Sequence, residues 1–322
     1  MSSALEKIPP ILKKRKGFLA GIDALLENIR KYRLLYLFMV PGILYFVIFH
    51  YIPMGGLVIA FKDYKMIKGL LGSPWVGFKH FIKLFSTDKF YQVFFNTLII
   101  NFYKTLFFFP VPIIISVLLN EIRFIGFKRS VQSILYFPHF LSWVVVAGFV
   151  FQFLRPLGPL NQLLMRMFGT EPVNFMAEPQ YFRPILVLTA MWRETGWATI
   201  LYMAQISTID PQLYEAAYVD GASRWRQMLY ITLPGILPII AITLIIRLGR
   251  TMIIGYEQVL VLYNPLVYSV GDVIQTYIYR VGLLNARFSF ATACGVFQAV
   301  VAFILLWVSN KLSQRFSGHG IW

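Results

Sequence analysis

Six charged side chains lie inside stretches of sequence that are otherwise strongly apolar. Four are basic and two are acidic: Lys104, Arg193, Arg247, Arg250, Glu194 and Glu257. A charge at the centre of a membrane-spanning helix costs roughly 2.5–3.5 kcal/mol on insertion scales, so such residues usually face a polar cavity or one another. The chemistry on offer is therefore internal ion pairing or, because the cations are in excess, the binding of an anionic solute.

Three of these side chains lie close together along one stretch of sequence. At 100° per residue, Arg247, Arg250 and Glu257 fall within about 80° of arc, on one face of the fifth apolar stretch. We therefore expect them on one face, where Tyr256 offers an aromatic ring for stacking. If the charges pair with one another, Arg193 or Arg250 should lie beside a glutamate. The lysine should then extend outward. Anion binding predicts that Arg247 and Arg250 line a path.

A second set of polar residues lies in a polar insert, residues 208–232, between two apolar stretches. Its centre reads Glu215, Ala216, Ala217, Asp220 and Gly221. Asp210 followed by Pro211 is typical of a helix N-cap and first helical position. Gly221 fits the C′ position, which favours a left-handed residue, and Ser223 can cap a second helix. These signals predict two short helices joined at a glycine, a compact knob that docks onto something outside the membrane.

Composition indicates what positions these groups. The 322 residues are 58% hydrophobic and 14% charged, with a mean hydropathy of +0.65, whereas soluble domains carry about 25% charged residues. Six stretches are apolar and long enough to cross about 30 Å of bilayer. They are Leu34–Ile52, Phe95–Leu119, Val131–Phe153, Pro184–Ser207, Leu233–Leu262 and Ser289–Ser309. The predicted fold class is an all-α membrane protein with six transmembrane helices.

The net charge of +16 indicates orientation. In a soluble protein it would point to nucleic acid or another anionic partner, but in a membrane protein it is typical of basic loops retained in the cytoplasm. We therefore predict a basic cytoplasmic segment at 1–33, a six-span domain at 34–309 and a cytoplasmic tail at 310–322. Both termini are then cytoplasmic. The lysine-rich first loop, which this topology places outside, is the exception.

Two amphipathic patterns lie outside the predicted spans. One is formed by Phe18, Ile22, Leu25, Ile29 and Tyr32, and the other by Phe78, Phe81, Ile82 and Phe85. Both are typical of helices that lie along a membrane surface and cover lipid or neighbouring helix ends. For the second helix, contact with an extracytoplasmic partner is the alternative.

Several kinds of site are not predicted. The nearest approach to a Walker A motif runs from Gly72 to Gly77-Phe78-Lys79, where Phe78 interrupts the required Gly-Lys pair. The four histidines are scattered without metal-ligand spacing, and the single Cys294 excludes an intrachain disulfide and most zinc sites. No nucleophile, base and acid are grouped. We therefore expect no catalytic residue, metal or cofactor in this chain, and any ATP hydrolysis must come from a partner.

The insert also carries a specific resemblance. Its pattern, Glu-Ala-Ala, three residues, Gly, nine residues, Ile-x-Leu-Pro, resembles the EAA loop in membrane subunits of binding-protein-dependent ABC importers. The matching positions are Glu215, Ala216, Ala217, Gly221, Ile231, Leu233 and Pro234. Further features are similar to the carbohydrate branch: Asp220-Gly221-Ala222, Trp192 to Gly196, Trp75 to Gly77 and Asn96-Thr97. Residues 275–282 resemble the oligo- and polysaccharide subgroup, which includes the alginate importer.

The resemblance covers about residues 34–315 and implies a type I ABC importer permease in the cytoplasmic (inner) membrane. In that family the EAA loop is a coupling helix seated in a cleft of the ATPase subunit. The resemblance assigns this role to Glu215–Gly221. The implied partners are a second, homologous permease subunit, two ATPase subunits that hold ATP and magnesium, an extracytoplasmic solute-binding protein, membrane lipids and the sugar itself. An acidic polymer such as alginate is one candidate substrate.

Three alternatives have other consequences. A secondary transporter or channel for an anionic solute would also use buried charges, but it needs no ATPase and has no use for the insert. A membrane-embedded enzyme should show a convergent catalytic set. A DNA-binding helix-turn-helix resembles the insert locally, yet a knob held between two spans cannot easily enter a major groove; no nucleic acid partner is expected.

Overall fold

Helices form almost all the regular structure in the part of the chain that the computed structural model describes, which is residues 28, 30–253 and 255–317. Among those residues the β-structure is limited to an isolated bridge between Lys62 and Trp75. The amphipathic helix predicted from Phe18 to Tyr32 lies almost wholly outside the described residues, as does the end of the chain after residue 317. Contacts divide the chain into two units, residues 1–58 and residues 59–322.

The first unit contains α1 (Arg33–Phe46), a π-helical turn (Val47–Tyr51) and the short α2 (Ile52–Met54). A 3₁₀ segment, Gly55–Phe61, follows without a break. The whole run from Arg33 to Phe61 is 29 residues long and apolar enough to cross a membrane. This agrees with the first predicted span.

The second unit contains fifteen of the helices within the described residues, α3 to α17. Their bounds are α3 Gly69–Gly72, α4 Lys79–Phe85, α5 Asp88–Tyr103, α6 Pro110–Glu121, α7 Ile125–Tyr136, α8 Trp143–Leu154, α9 Pro159–Phe168, α10 Pro179–Ile206, α11 Pro211–Val219, α12 Arg224–Gln227, α13 Leu233–Gly249, α14 Tyr256–Leu262, α15 Tyr268–Gly271, α16 Ile274–Tyr279 and α17 Phe288–Ser317. Further π-helical turns occupy Lys104–Phe108, Met228–Thr232 and Arg280–Leu284, and 3₁₀ turns occupy Met66–Lys68, Phe137–Phe140 and Pro265–Val267.

Five runs in the described chain have the length and composition of membrane spans. They are Arg33–Phe61, Asp88–Glu121, Trp143–Phe168, Arg224–Gly249 and Phe288–Arg315. Helix α10 is not among them because of its composition, although its 28 residues extend for about 42 Å at 1.5 Å per residue. The sixth span predicted at Pro184–Ser207 therefore stays a prediction.

Two predicted spans are interrupted. The stretch Val131–Phe153 divides at the 3₁₀ turn that contains Pro138, and α8 starts afresh after Ser142, whose Oγ accepts a hydrogen bond from the N–H of Val145 at 3.3 Å. Proline has no N–H to donate, so one helical hydrogen bond is missing at Pro138, and the chain becomes extended at Leu141 and Ser142. The apolar composition continues across this break and hides it.

The fifth predicted span, Leu233–Leu262, is wrong as a single helix. Helix α13 ends at Gly249, and α14 starts only after Gly255, whose φ of +88° lies in the left-handed region. Consequently Arg247, Arg250 and Glu257 do not share one helical face. The last predicted span is confirmed, although α17 continues past Ser309 to Ser317.

The buried core of the second unit surrounds α10, which packs against α6, α7 and α13. One apolar cluster joins α10 to α5 and α14 through Phe182, Leu186, Ile100 and Leu262. A second cluster joins α5, α16 and α17 and includes Cys294, which is fully buried as a small packing residue.

Candidate functional site

The polar insert begins as the sequence predicts. The Asp210 carboxylate accepts a hydrogen bond from the N–H of Gln212 at 2.9 Å, and Pro211 occupies the first turn of α11. At the other end Gly221 has a φ of +75°, its N–H donates to Tyr218 O at 3.1 Å, and the Ala222 N–H donates to Ala217 O at 2.8 Å. This pair of bonds is the Schellman motif, so the predicted C′ position of Gly221 is confirmed.

The second helix of the insert starts at the predicted cap but does not stop where a separate helix would. Ser223 Oγ accepts a hydrogen bond from the Arg226 N–H at 3.4 Å. Helix α12 then passes through the π-helical turn Met228–Thr232 directly into α13. The knob is therefore one short helix, α11, followed by a tight turn. The turn leads into α12, which is the first part of the candidate span Arg224–Gly249.

Two contacts hold α11 and α12 against the rest of the second unit. The Tyr214 and Thr232 hydroxyls share a hydrogen bond of 2.9 Å, and Arg224 lies 3.5 Å from the Glu121 carboxylate at the end of α6. Glu215 and Asp220 remain exposed, and neither forms an ion pair within the described residues. The insert thus exposes two carboxylates that have no ion-pair partner within the described residues. The contacts of Tyr214 and Arg224 hold its backbone against the rest of the second unit.

Lys104, by contrast, is almost completely enclosed, with 2% of its surface exposed. Its Nζ donates to Gln258 Oε1 at 2.6 Å, and the Gln258 amide nitrogen donates to Leu186 O at 2.8 Å and to Thr189 Oγ1 at 2.7 Å. This chain of bonds connects the π-helical turn after α5 with α14 and α10. Lys104 is therefore not the outward-extending lysine that the pairing interpretation expected.

Arg193 and Glu194 are neighbours in the chain and form an ion pair through Arg193 Nη1 and Glu194 Oε1. The Glu194 carboxylate also lies 3.0 Å from His139 Nδ1, and the His139 ring stacks on Trp197 at 4.5 Å between centroids. Arg193 donates through Nε to Leu141 O at 2.9 Å. For this arginine the pairing interpretation is confirmed, and the pair lies where the 3₁₀ turn before α8 meets α10.

Arg247 faces a cavity of about 230 Å³ where α6, α10 and α13 meet. Its Nε donates to Thr105 Oγ1 at 3.2 Å, and its guanidinium lies over the Phe108 ring at 4.9 Å. Trp197, Tyr202 and Thr243 are among the other lining residues, and the Tyr202 and Thr243 hydroxyls share a hydrogen bond of 3.0 Å. The cavity therefore combines one cation with aromatic faces and hydroxyl groups.

The remaining predicted path residues are not part of this cavity. Arg250 and Glu257 are exposed and Tyr256 is half-buried. Within the described residues neither Arg250 nor Glu257 forms an ion pair. The seven predicted residues thus divide into an enclosed lysine, a half-buried ion pair that also contacts a histidine, a cavity arginine and three groups around the helix break.

A larger groove, of about 740 Å³, runs along the earlier part of α10. Pro184, Leu188 and Met191 line it from α10, with Tyr103 and Phe107 opposite. Positions 184, 188 and 191 continue into 198 and 202 at helical spacing, so the groove and the 230 Å³ cavity follow one face of α10.

Sequence reasoning missed a buried carboxylate. The Asp272 side chain is fully buried and receives hydrogen bonds from Arg280 at 2.5 and 3.3 Å and from Thr276 at 2.8 Å, with Lys89 Nζ at 3.7 Å. Arg280 also lies over the Tyr268 ring at 4.6 Å. A lone acid with a basic residue eight positions later was the available signal. Asp272 lies in the loop between the predicted spans Leu233–Leu262 and Ser289–Ser309, where an acid needs no buried partner.

Comparison with known proteins identifies the molecule to which these sites belong. Residues 94–318 match the family described as the binding-protein-dependent transport system inner membrane component. The chain belongs to this family. It is thus a multi-pass component of an inner-membrane transport system, and the predicted resemblance to permease subunits of ABC importers is confirmed. As a permease subunit it is not itself an enzyme.

Relatives of this transport component cover nearly the whole chain. The polygalacturonan/rhamnogalacturonan transport system permease protein YteP of Bacillus subtilis (strain 168) is 46% identical over 97% of this chain and 96% of its own length. A solved bacterial ABC transporter involved in the import of the acidic polysaccharide alginate superposes with a TM-score of 0.85 at 43% identity, covering 91% of this chain and 99% of the other. The same scores hold for a bacterial alginate ABC transporter solved in complex with alginate pentasaccharide-bound periplasmic protein, with 92% and 99% covered.

Proposed function

We propose that this permease component forms half of an ATP-driven import path for oligo- or polysaccharides built from uronic acids. Polygalacturonan and alginate, named for two relatives that are 46% and 43% identical, are both polymers of sugars that carry a carboxylate. A path for such a polymer needs fixed positive charge, flat apolar faces for sugar rings and hydroxyl groups for their edges. The cavity around Arg247 supplies all three.

Arg247 is the observation that carries the proposal. Its hydrogen bond to Thr105 uses Nε, and its face rests on Phe108, so the two terminal nitrogens remain available to a carboxylate. Guanidinium and carboxylate form two parallel hydrogen bonds, which makes arginine a specific partner for this group. Because the arginine is held from two sides, little conformational entropy is lost when it binds.

Trp197 gives the cavity its aromatic face. One side of its ring is covered by His139, while half of the residue's surface remains exposed. His139 is in turn held by Glu194, which pairs with Arg193. We therefore assign Arg193 and Glu194 a supporting role behind the stacking face, and Lys104 a supporting role beneath the helix break. Arg250, Tyr256 and Glu257 belong to a more exposed part of the proposed path.

In this proposal the movement of the ATPase subunits reaches the permease through the polar insert. Helix α11, with Glu215, Ala216, Ala217, Asp220 and Gly221, docks into a cleft of an ATPase subunit that holds ATP and magnesium. Two such subunits, a second homologous permease subunit and an extracytoplasmic solute-binding protein complete the assembly, with six spans and both termini of this chain in the cytoplasm. The alginate transporter crystallised with a sugar-loaded periplasmic protein supports the last of these partners.

The experiment compares Arg247→Ala with Arg247→Lys in the reconstituted complex. Uptake is measured for a uronic acid oligosaccharide and for the same oligosaccharide after carboxyl reduction, each at a concentration that saturates the solute-binding protein. One charged hydrogen bond is worth about 1.5–3 kcal/mol, so Arg247→Ala should lower uptake of the acidic sugar about tenfold to a hundredfold. Arg247→Lys should recover part of this loss.

The reduced sugar is the control. Its uptake should change little in Arg247→Ala, because it offers no carboxylate to the missing guanidinium. An equal loss for both sugars would assign Arg247 to packing and overturn the acidic-substrate proposal. Uptake by the chain alone, without an ATPase, would instead support a secondary transporter.

A further inference from the structure

The first loop of the second unit forms a basic lobe, residues 62–85, with an apolar tip. Within it the N–H of Asp63 donates to Pro74 O at 3.0 Å and the N–H of Val76 to Phe61 O at 2.9 Å, which closes the segment like a hairpin. The Lys62 ammonium donates to Leu70 O at 2.8 Å and caps α3. Buried Ser73 accepts from the Lys65 N–H and donates to Gly69 O. The lobe is thus rigid.

The tip of the basic lobe is unusually exposed for its residue types. Ile67 is 102% exposed and Leu71 is 92% exposed, and Met66 beside them is 71% exposed. The two branched residues are four positions apart, one in the 3₁₀ turn Met66–Lys68 and the other in α3. Phe78, just before α4, and Ile82 on α4 repeat this spacing and are both 67% exposed. The Phe78 ring meets the Phe61 and Phe81 rings at 5.6 and 5.7 Å, whereas Ile67 and Leu71 keep almost their whole surface uncovered within the described chain.

The lobe is fixed at a membrane boundary. The N–H of Tyr64 donates to Ser289 Oγ at 2.9 Å, and the Tyr64 and Phe288 rings meet at 6.1 Å. Phe288 is the first residue of one candidate span, and Asp88, three residues after the lobe, is the first residue of another. Both candidate spans therefore begin beside the lobe. Because a span begins where hydrocarbon gives way to headgroups, the geometry favours a place for the lobe near that level.

The charge of the lobe is strongly positive. It contains five lysines, Lys62, Lys65, Lys68, Lys79 and Lys83, against one acid. That acid, Asp63, accepts a hydrogen bond from Lys79 at 2.5 Å, which holds the pKa of its carboxyl below the usual range. Lys65, Lys68 and Lys83 are exposed around the apolar tip. No arginine is present, whereas protein interfaces are enriched in arginine and depleted in lysine.

We propose that the basic lobe inserts Ile67 and Leu71 into the bilayer surface and that its lysines bind the phosphates of anionic phospholipids. Aliphatic side chains that point away from the protein at headgroup level become buried when they enter lipid, and lysine stems extend along apolar surface while the ammonium stays in water. The partner is thus a lipid surface, not a soluble protein. The inference does not depend on which sugar is transported.

The test places a fluorescent probe at the tip of the full chain in lipid nanodiscs. Ile67→Cys and Leu71→Cys are labelled, and the unsubstituted chain controls for Cys294, which is buried. Glu171→Cys, exposed in the loop before α10, is the matched control outside the lobe. Quenching by phospholipids that carry a nitroxide near the headgroup is compared in phosphatidylcholine alone and with phosphatidylglycerol added.

Interfacial residues penetrate roughly 5–10 Å, so both lobe probes should be quenched at least about twofold more than the Glu171→Cys probe. Adding Lys65→Gln and Lys68→Gln to the Ile67→Cys chain should reduce quenching only where phosphatidylglycerol is present. Equal quenching at all three probes would overturn the proposal. Protection of the Ile67→Cys probe by the solute-binding protein, without lipid quenching, would make the lobe a protein docking site and would also overturn it.

Discussion

The polar insert and the buried polar groups use their charges in opposite ways. We call the hydrogen-bonded residues around Lys104 and those around Asp272 the network. In the insert, Glu215 and Asp220 are exposed and unpaired within the described chain, while backbone bonds around Gly221 fix the shape. In the network, Lys104 and Asp272 are buried and every contact of their charged atoms is internal. One region is shaped locally and presents its charges outward. The other requires its charges for its own structure.

The difference follows from the surroundings of each group. A charge in water needs no partner, so its side chain is free for another subunit. A charge in the interior loses its hydrogen bonds to water, and protein groups must replace them. A missing partner therefore costs more free energy there than at the surface. Substitutions in the network should therefore reduce stability, whereas substitutions in the insert should reduce function and leave stability unchanged.

Asp272→Asn should have the largest effect on stability. It leaves Arg280, whose side chain is 22% exposed, without a counter-ion, and breaking a buried pair in this way costs about 3–5 kcal/mol. The measurement is denaturant unfolding of the purified chain in detergent. Asp220→Asn, the same chemical change in the insert, should alter the unfolding free energy by no more than about 0.5 kcal/mol. Equal losses for the two variants would contradict the comparison.

Gly196→Ala should have the next largest effect, because here two helices touch backbone to backbone. A Cβ atom at position 196 would lie 1.9 Å from the carbonyl oxygen of Leu135, so α7 and α10 would have to separate. Overpacking of this kind costs about 1–3 kcal/mol. Gly148→Ala in α8 is the control, since nothing lies within 4 Å of a Cβ there. Thermal unfolding should separate the two variants, and a stable Gly196→Ala chain would show that the contact can relax.

The sequence predicted the insert better than the network for the same physical reason. Asp210, Gly221 and Ser223 act on backbone groups within five residues, so their roles follow from residue type and spacing alone. Lys104 and Gln258 are 154 positions apart. Nothing in the local sequence of either residue could indicate that they meet.

The span boundaries show a related limit. Apolar composition predicted helices at the right places, yet the breaks at Pro138 and Gly255 lie within apolar stretches and were missed. The break at Gly255 also separates Arg247 from Glu257, so the cavity lining combines Arg247 with residues of α6 and α10 and does not include Glu257. Trp197 and Tyr202 were not predicted as cavity residues because only the tertiary packing brings them beside Arg247.

Glu215→Lys should have the smallest effect on stability and the largest on coupling. The residue is exposed on α11, and a substitution at such a surface position changes the unfolding free energy by no more than about 0.5 kcal/mol. On the proposed function, however, the reversed charge meets the basic group of the ATPase cleft with which Glu215 pairs. Co-purification of the ATPase subunits and sugar-stimulated ATP hydrolysis should then both be lost. Thr208→Lys, exposed at the first position of the insert and outside α11, should retain both activities.

Glu215→Gln separates charge from shape at this position. If the carboxylate acts through an ion pair, the glutamine variant should fold normally and lose part of the coupling, between the wild-type chain and Glu215→Lys. If Glu215→Lys instead unfolds the chain, the insert is as dependent on its charged groups as the network around Asp272. The contrast between an outward-facing and an inward-facing use of charge would then fail, because the fixed turn at Gly221 would not be sufficient to hold α11 in place.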